Sequence, residues 1–307
     1  MKKIKYNLLW GLVACFMLAG CTPQEKKDGG GRSEDSISSA FWGGGKQSNG
    51  DDLATTHELV DVKISTKLDN EKVQYKGMTV YFNKRYRIPN CVAYELTATE
   101  IAQTDGPGAE RRNNYQFNAD PNVEGCPDWW EYKNTPYDRG HMAPAMDMRW
   151  SKKSMEECFY LTNICPQDHG LNDGEWRHME EAIHSWARKY KQIYVMTGPV
   201  MTSDMEMTGK DNDIAVPSQF FKIVYAPKEN KMIAFLFDNN TTTVSWRKHV
   251  TTVDEIERLT GYDFFATLPD NTENAQESKS NFNSWPYYQD RDFDNQGKGF
   301  RRNSRRN

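Results

Sequence analysis

Tyr137-Asp138-Arg139-Gly140-His141-Met142-Ala143-Pro144 gathers a carboxylate, a guanidinium and an imidazole into four residues around one glycine. Gly140 permits backbone approach that a side chain would forbid, so Arg139 and His141 can be held close to a substrate. An imidazole titrates near neutrality and can take a proton from water. A guanidinium forks onto phosphate or carboxylate oxygens. The stretch reads as one arm of a hairpin carrying both groups.

Downstream, Cys158 to Cys165 reads as a short strand, since apolar and aromatic residues lead up to a stop at Pro166. Beyond Gly174 the period changes. Trp176, Met179, Ile183, Trp186 and Tyr190 recur at three- and four-residue steps, which predicts an amphipathic helix from Gly174 to Tyr190. Arg188, Lys189 and Lys191 sit at its negative end. Asn172 and Asp173 are its expected N-caps. With Asn172 on the first turn, Asn172, Trp176 and Glu180 would share a face. An amide oxygen and a carboxylate on one stripe, beside a His-bearing hairpin, suit a hard cation.

The ordered set Asp138-Arg139-Gly140-His141, Asn163, Asn172 and Glu180 resembles the DNA/RNA non-specific endonucleases. So do Val92-Ala93-Tyr94-Glu95-Leu96 upstream, Thr197-Gly198-Pro199 downstream, and Val216-Pro217 ahead of a strand. The resemblance covers residues 71 to 270. It implies an α+β fold: a ββα-metal core on a central, largely antiparallel sheet with flanking helices. It implies hydrolysis of phosphodiester bonds in both DNA and RNA, without sequence preference, with Mg²⁺ as cofactor and Mn²⁺ able to replace it. His141 would be the general base, its ordinary pKa of about 6.5 suiting operation near neutrality. Asn172 would be the one direct protein ligand of the ion. Glu180 would orient the waters around it. Asn163 would help orient the base or its loop. Arg139 and a second arginine would clamp the phosphate. For that second arginine, Glu110-Arg111-Arg112-Asn113 offers two neighbours; Arg112 is preferred and Arg111 stays open. The alternative function is a non-catalytic lipoprotein that binds nucleic acid on the same fold.

The rest of the 307-residue chain fits one catalytic domain with non-globular ends. Residues 1–20 have signal-peptide form: Lys2, Lys3 and Lys5 precede an apolar run from Leu8 to Leu18. Leu18-Ala19-Gly20-Cys21 resembles a bacterial lipoprotein box, so a lipidated Cys21 would anchor the exported chain to the cell envelope, at the outer membrane. Residues 21–70 are expected to be a flexible tether rich in Gly and Ser, its stretch up to Asp52 spanning about 30 Å, and residues 271–307 a polar, basic, disordered tail. Oligomeric state is not legible.

The formal charge is −4, and losing the leader lysines makes it three more negative, an unusual balance for a nucleic-acid enzyme. Phosphate affinity is needed only in the cleft, where Arg85, Arg87, Arg111, Arg112, Arg139, Arg149, Lys152 and Lys153 could gather. Cys91, Cys126, Cys158 and Cys165 remain after export, and two disulfides are expected, Cys126–Cys165 and Cys91–Cys158. A zinc site is not expected, because no Cys-x-x-Cys occurs. His57, His169, His178, His184 and His249 read as surface or structural. Strands are expected at Tyr75–Phe82, Val92–Thr97, Ile193–Met196, Phe220–Tyr225 and Met232–Phe237. A short helix capped by Thr252 and Glu255 should close near Gly261. No serine-hydrolase elbow and no phosphate-binding P-loop motif is present.

Overall fold

Runs such as Phe220-Phe221-Lys222-Ile223-Val224-Tyr225, apolar but for one lysine, are buried along their whole length, so the sheet they build has both faces covered. In the computed structural model, residues 60–268 and 270–286 are described. They begin with β1 (Val62–Lys63), β2 (Glu71–Gln74), β3 (Thr79–Asn83), β4 (Ile88–Thr97) and α1 (Ala98–Thr104). Then come β5 (Asp138–His141), α2 (Ala145–Met148), α3 (Lys152–Cys158), β6 (Ile164–Gln167), α4 (His169–Asn172) and α5 (Glu175–Tyr190). The chain continues through β7 (Gln192–Pro199), β8 (Glu206–Thr208), β9 (Ile214–Val216), β10 (Gln219–Ala226) and β11 (Lys231–Asp238). It ends with β12 (Val250–Thr251), α6 (Val253–Thr260), β13 (Asp263–Phe264) and α7 (Asp270–Glu277).

The main sheet has the order β12-β11-β10-β7-β4-β3-β2, with every pair antiparallel. Side chains alternate across it with the strand period of two. Val92, Tyr94 and Leu96 of β4, Ile193 and Val195 of β7, and Phe220 and Val224 of β10 face one core, against α5. Cys91, Ala93, Tyr194, Met196, Phe221, Ile223 and Tyr225 face a second core, against α6 and β13. The α5 helix buries Trp176, Met179, Ile183, Trp186 and Tyr190, the stripe expected from its spacing. Thr252 caps α6 by accepting from the Glu255 amide, and Gly261 ends it at φ 70°. The α+β class and the antiparallel sheet therefore hold.

Four expectations change. Cys158 to Cys165 is not one strand: α3 ends at Cys158, a single tight turn covers Leu161–Asn163, and only then does β6 start. Asn172 and Asp173 do not cap α5. Asn172 closes the short α4, which Asp168 caps from the Leu171 amide, and Gly174 starts α5. A side chain on Gly174 would collide with the Gly170 carbonyl, so the glycine allows the tight break between the two helices. Tyr75–Phe82 splits, because the Tyr75 amide donates to Met78 in a turn between β2 and β3.

The fourth change concerns sulfur. All four described cysteines are free thiols. Cys91 lies in one core and Cys158 in the other, with the sheet between them. The Cys126 sulfur accepts from the Asp120 amide at 3.3 Å and donates to Pro127 at 3.6 Å instead of meeting Cys165. The packed region also reaches past 71–270 at both ends. Val60 and Val62 are buried, β1 pairs with β13, and the Trp285 ring packs at a tilt 4.6 Å from Trp186. The leader, Cys21, the stretch up to residue 59 and residues 287–307 lie outside the described residues.

Candidate active site

β5 and β6 form their own two-stranded ribbon, pairing Gly140 with Cys165 and His141 with Ile164. A Cβ on Gly140 would sit 2.6 Å from the Cβ of Gln167, so the glycine is what lets the two arms close up. The ribbon leads into α4 and α5, which gives the strand–strand–helix order expected for the core. Alternation along β5 sends Arg139 and His141 to the same side.

His141 is wedged between two rings, 5.1 Å from Phe117 and 5.0 Å from Phe159. Its Nε2 is shielded from solvent and has no hydrogen-bond partner. Arg139 stacks on Phe117 at 4.6 Å, and Arg112 stacks on Phe159 at 5.5 Å. The two guanidiniums thus flank the imidazole from opposite rings. Burial pushes the His141 pKa down to about 3, helped by the charges of Arg112, Arg139 and Lys222. An imidazole expected to titrate near neutrality is therefore neutral and only weakly basic in the free protein, and the negative charge of a bound phosphate would raise its affinity for a proton.

Asn163 is fully buried and does not face solvent. Its carbonyl accepts from the Met142 amide, its Oδ1 accepts from Ala143, and its Nδ2 donates to Ala143 and Cys158 at 3.0 Å. The side chain clamps the backbone leaving His141. Asn172 uses its Nδ2 to donate to Asp138 Oδ2 at 2.8 Å, an oxygen that also meets His169 Nδ1 at 2.9 Å. Asp138 thereby fixes the amide, and the Asn172 oxygen accepts no hydrogen bond among the described residues. A hard oxygen held in that way suits a cation that keeps most of its water.

Glu180 lies eight residues farther, on α5. Burial raises its pKa to about 7, against the opposing pull of Lys222. Lys222 sits inside β10, fully buried, and donates to Glu180 Oε1 at 2.9 Å and to the Met142 carbonyl at 3.1 Å. Its ammonium also lies 4.6 Å over the Trp176 ring. Lys222 is absent from the sequence-derived set. Its signal was there to read: one lysine in the middle of an eight-residue strand whose neighbours are apolar.

The basic groups divide sharply. Arg111, Arg112 and Arg149 line an open cleft of about 550 Å³ with Asn113, Ala145 and Met146. Of the two neighbouring arginines, Arg112 is the one against Phe159 whose charge reaches His141. Arg87 does not join them: Glu131 and Asp213 hold its guanidinium at 2.6 and 2.7 Å. Lys152 and Lys153 pair with Glu156 and Glu157 along α3. His184, read as structural, is buried and bonded to Asp147 at 2.6 Å.

A family model described as DNA/RNA non-specific endonuclease matches residues 56–271. Nuclease C1 of Cunninghamella echinulata var. echinulata is 27% identical over 210 residues, 62% of this chain and 82% of its own length. Human mitochondrial endonuclease G is 32% identical over 152 residues, 45% of this chain and 51% of its own. Mitochondrial nuclease 1 of Schizosaccharomyces pombe is 28% identical over 224 residues, 65% of this chain and 67% of its own. A crystal structure of an EndoG/EndoGI complex, on the mechanism of EndoG inhibition, superposes with a TM-score of 0.60 at 26% identity. The match covers 69% of this chain and 93% of that one.

Proposed function

Since the chain belongs to the DNA/RNA non-specific endonuclease family and is a hydrolytic nuclease, we propose that it cleaves both DNA and RNA at phosphodiester bonds, without sequence preference and with Mg²⁺. The observation that carries this reading is the His141 Nε2: buried, unpartnered, neutral, and flanked by Arg112 and Arg139.

His141 accepts the proton of the water that attacks phosphorus. Arg139 and Arg112 hold the phosphate oxygens and meet the charge that builds on them. Asn163, through the 142–143 backbone, fixes where the imidazole points. Asn172 would offer its amide oxygen to the ion, with Asp138 holding the amide in place. When bound, the divalent ion would offset negative charge on the phosphate and on the departing oxygen. Glu180 orients water near the ion, and Lys222 favours the ionised carboxylate that this task needs. The groups engage phosphate and water; none is set to read base edges, which supports cleavage without sequence preference. Mn²⁺ should substitute for Mg²⁺, because it accepts the same oxygen and water ligands.

Export as a lipoprotein belongs to the same proposal and rests on Leu18-Ala19-Gly20-Cys21 after an apolar run. Incubating the purified chain with supercoiled plasmid and with ribosomal RNA, with and without EDTA, tests the activity. Both substrates should be degraded, and EDTA should stop both reactions. Discrete fragments from several unrelated plasmids, or cleavage that persists in EDTA, would refute the reading. Cys21→Ala should abolish labelling by a fatty-acid probe; labelling that survives refutes the anchor.

A further inference from the structure

α6 and α7 bring three carboxylates together on the sheet face opposite α5. Asp254 is exposed on the first turn of α6, and Glu257 lies one turn on, half-buried. Glu277 ends α7 and is 5% exposed. One oxygen from each lies within 4.8 Å of the others. Acidic clusters on a surface are common, but Glu277 is not on the surface. Its Oε1 is buried and has no hydrogen-bond partner. Glu257 has the Phe264 amide at 2.8 Å, and among the described residues no basic side chain pairs with any of the three. Two basic side chains of this region are engaged elsewhere: Lys63 binds Asp263 at 2.7 Å, and Arg258 binds Glu255 at 2.6 Å.

A buried carboxylate among like charges persists only if it takes up a proton or gains a cation. Burial and the neighbouring carboxylates raise Glu277 to about 8 and Glu257 to about 7, so without a cation the cluster holds protons near neutrality, which a bound cation would displace. The donors are all hard oxygens on side chains of different length, and the exposed Asp254 side leaves room for water. That set fits Ca²⁺, which takes several oxygens in adaptable geometry, better than Zn²⁺, which favours nitrogen and sulfur. Mg²⁺ prefers a tighter octahedron that keeps its own water.

We propose that Asp254, Glu257 and Glu277 form a Ca²⁺ site, separate from the His141 site, that pins α7 onto α6. The Ca²⁺ replaces the missing counter-charge, so α7 is held by the ion as well as by packing.

The test is thermal unfolding and calorimetric titration of chelator-treated full chain with CaCl2, alongside Glu277→Gln, Asp254→Asn and Asn172→Ala. Wild type should bind Ca²⁺ and unfold at higher temperature. At a concentration 100 times Kd its folding constant should rise about 100-fold. Glu277→Gln should lose that gain while unfolding close to wild type at neutral pH in the absence of metal, because Glu277 is largely protonated there and the amide is neutral too. Asp254→Asn, on the exposed side, should weaken the gain without perturbing the fold, which guards against misfolding of the Glu277 variant. Asn172→Ala should keep the gain in full. A wild type indifferent to CaCl2 overturns the proposal. So does a Ca²⁺ effect that survives in both carboxylate variants or vanishes in Asn172→Ala.

Discussion

Replacing Lys222 by methionine would keep the volume of the side chain and remove its charge. The Lys222 ammonium stands 2.9 Å from Glu180, with no solvent to take its place. Breaking a buried ion pair by deleting one partner costs about 3–5 kcal/mol, unless the stranded group neutralises itself. At 1.36 kcal/mol per pKa unit, that corresponds to about 2–4 units on Glu180. The carboxylate titrates at about 7 with the lysine present. Without it the value should move to roughly 9–11, so at about pH 8 the ionised fraction would drop roughly 10- to 1000-fold. Activity should fall with that fraction, no further than the roughly 10- to 100-fold loss of Glu180→Ala, and return as pH is raised. The assay is initial cleavage of supercoiled plasmid at saturating MgCl2, from about pH 5 to about pH 10, on wild type and Lys222→Met. Circular dichroism would check that both are folded. Wild type should lose rate as pH falls through about 7, the Glu180 value. The variant should show the same limb at least about two units higher. A variant that is slower at every pH, with an unmoved limb, would show that Lys222 merely packs against Trp176. The charge argument would then be wrong.

His141→Ala should lower kcat by roughly 10²- to 10⁴-fold without altering the Mg²⁺ concentration needed, whereas Asn172→Ala should raise that concentration; Mg²⁺ titrations of rate that give the reverse pattern would misassign the two roles. Glu180→Ala should cost roughly 10- to 100-fold, as an outer group around the ion, read in the same titrations. Gly140→Ala should destabilise the β5–β6 ribbon by at least about 1–3 kcal/mol, because its methyl meets Gln167, and urea unfolding that is unchanged would refute the close approach. His141 also predicts acid behaviour. Its folded pKa, about 3, lies below the unfolded value, so the unfolded chain binds more protons between those two values and stability falls as pH drops through that window. His141→Asn should therefore flatten the urea-derived stability between about pH 6.5 and about pH 4; equal slopes in both proteins would argue against a buried neutral imidazole.

The strands and helices that bury a complete face were legible, because their period is set by the core they touch. Trp176 to Tyr190 and the Thr252 cap are such cases. Junctions were not, because competing local bonds decide them. Asn163 satisfies the backbone between α3 and β6 with its own amide, and that cannot be read from the apolar string around it. Gly174 is a helix breaker only because the Gly170 carbonyl occupies the space a side chain would need. Cysteine pairing failed for a related reason: the count of thiols says nothing about which face of a sheet each one occupies. Arg87 looked like a phosphate ligand until Glu131 and Asp213, 44 and 126 residues away, were seen to hold it. Lys222 was passed over because a lone charge in an apolar strand has no motif to announce it.

The short β1–β13 ribbon has a mechanical consequence. Only Val62 and Lys63 pair with Phe264 and Asp263, supported by the Lys63–Asp263 contact and by Tyr81, whose hydroxyl receives the Val62 amide. Pulling on the chain from its N-terminal side would load this clasp before the seven-stranded sheet. Two residues share few bonds, so the clasp should slip at low force and release residues 60–63 while the sheet and the β5–β6 ribbon stay whole. Such a weak first link would absorb tugs on the N-terminal side of the nuclease before they reached the site.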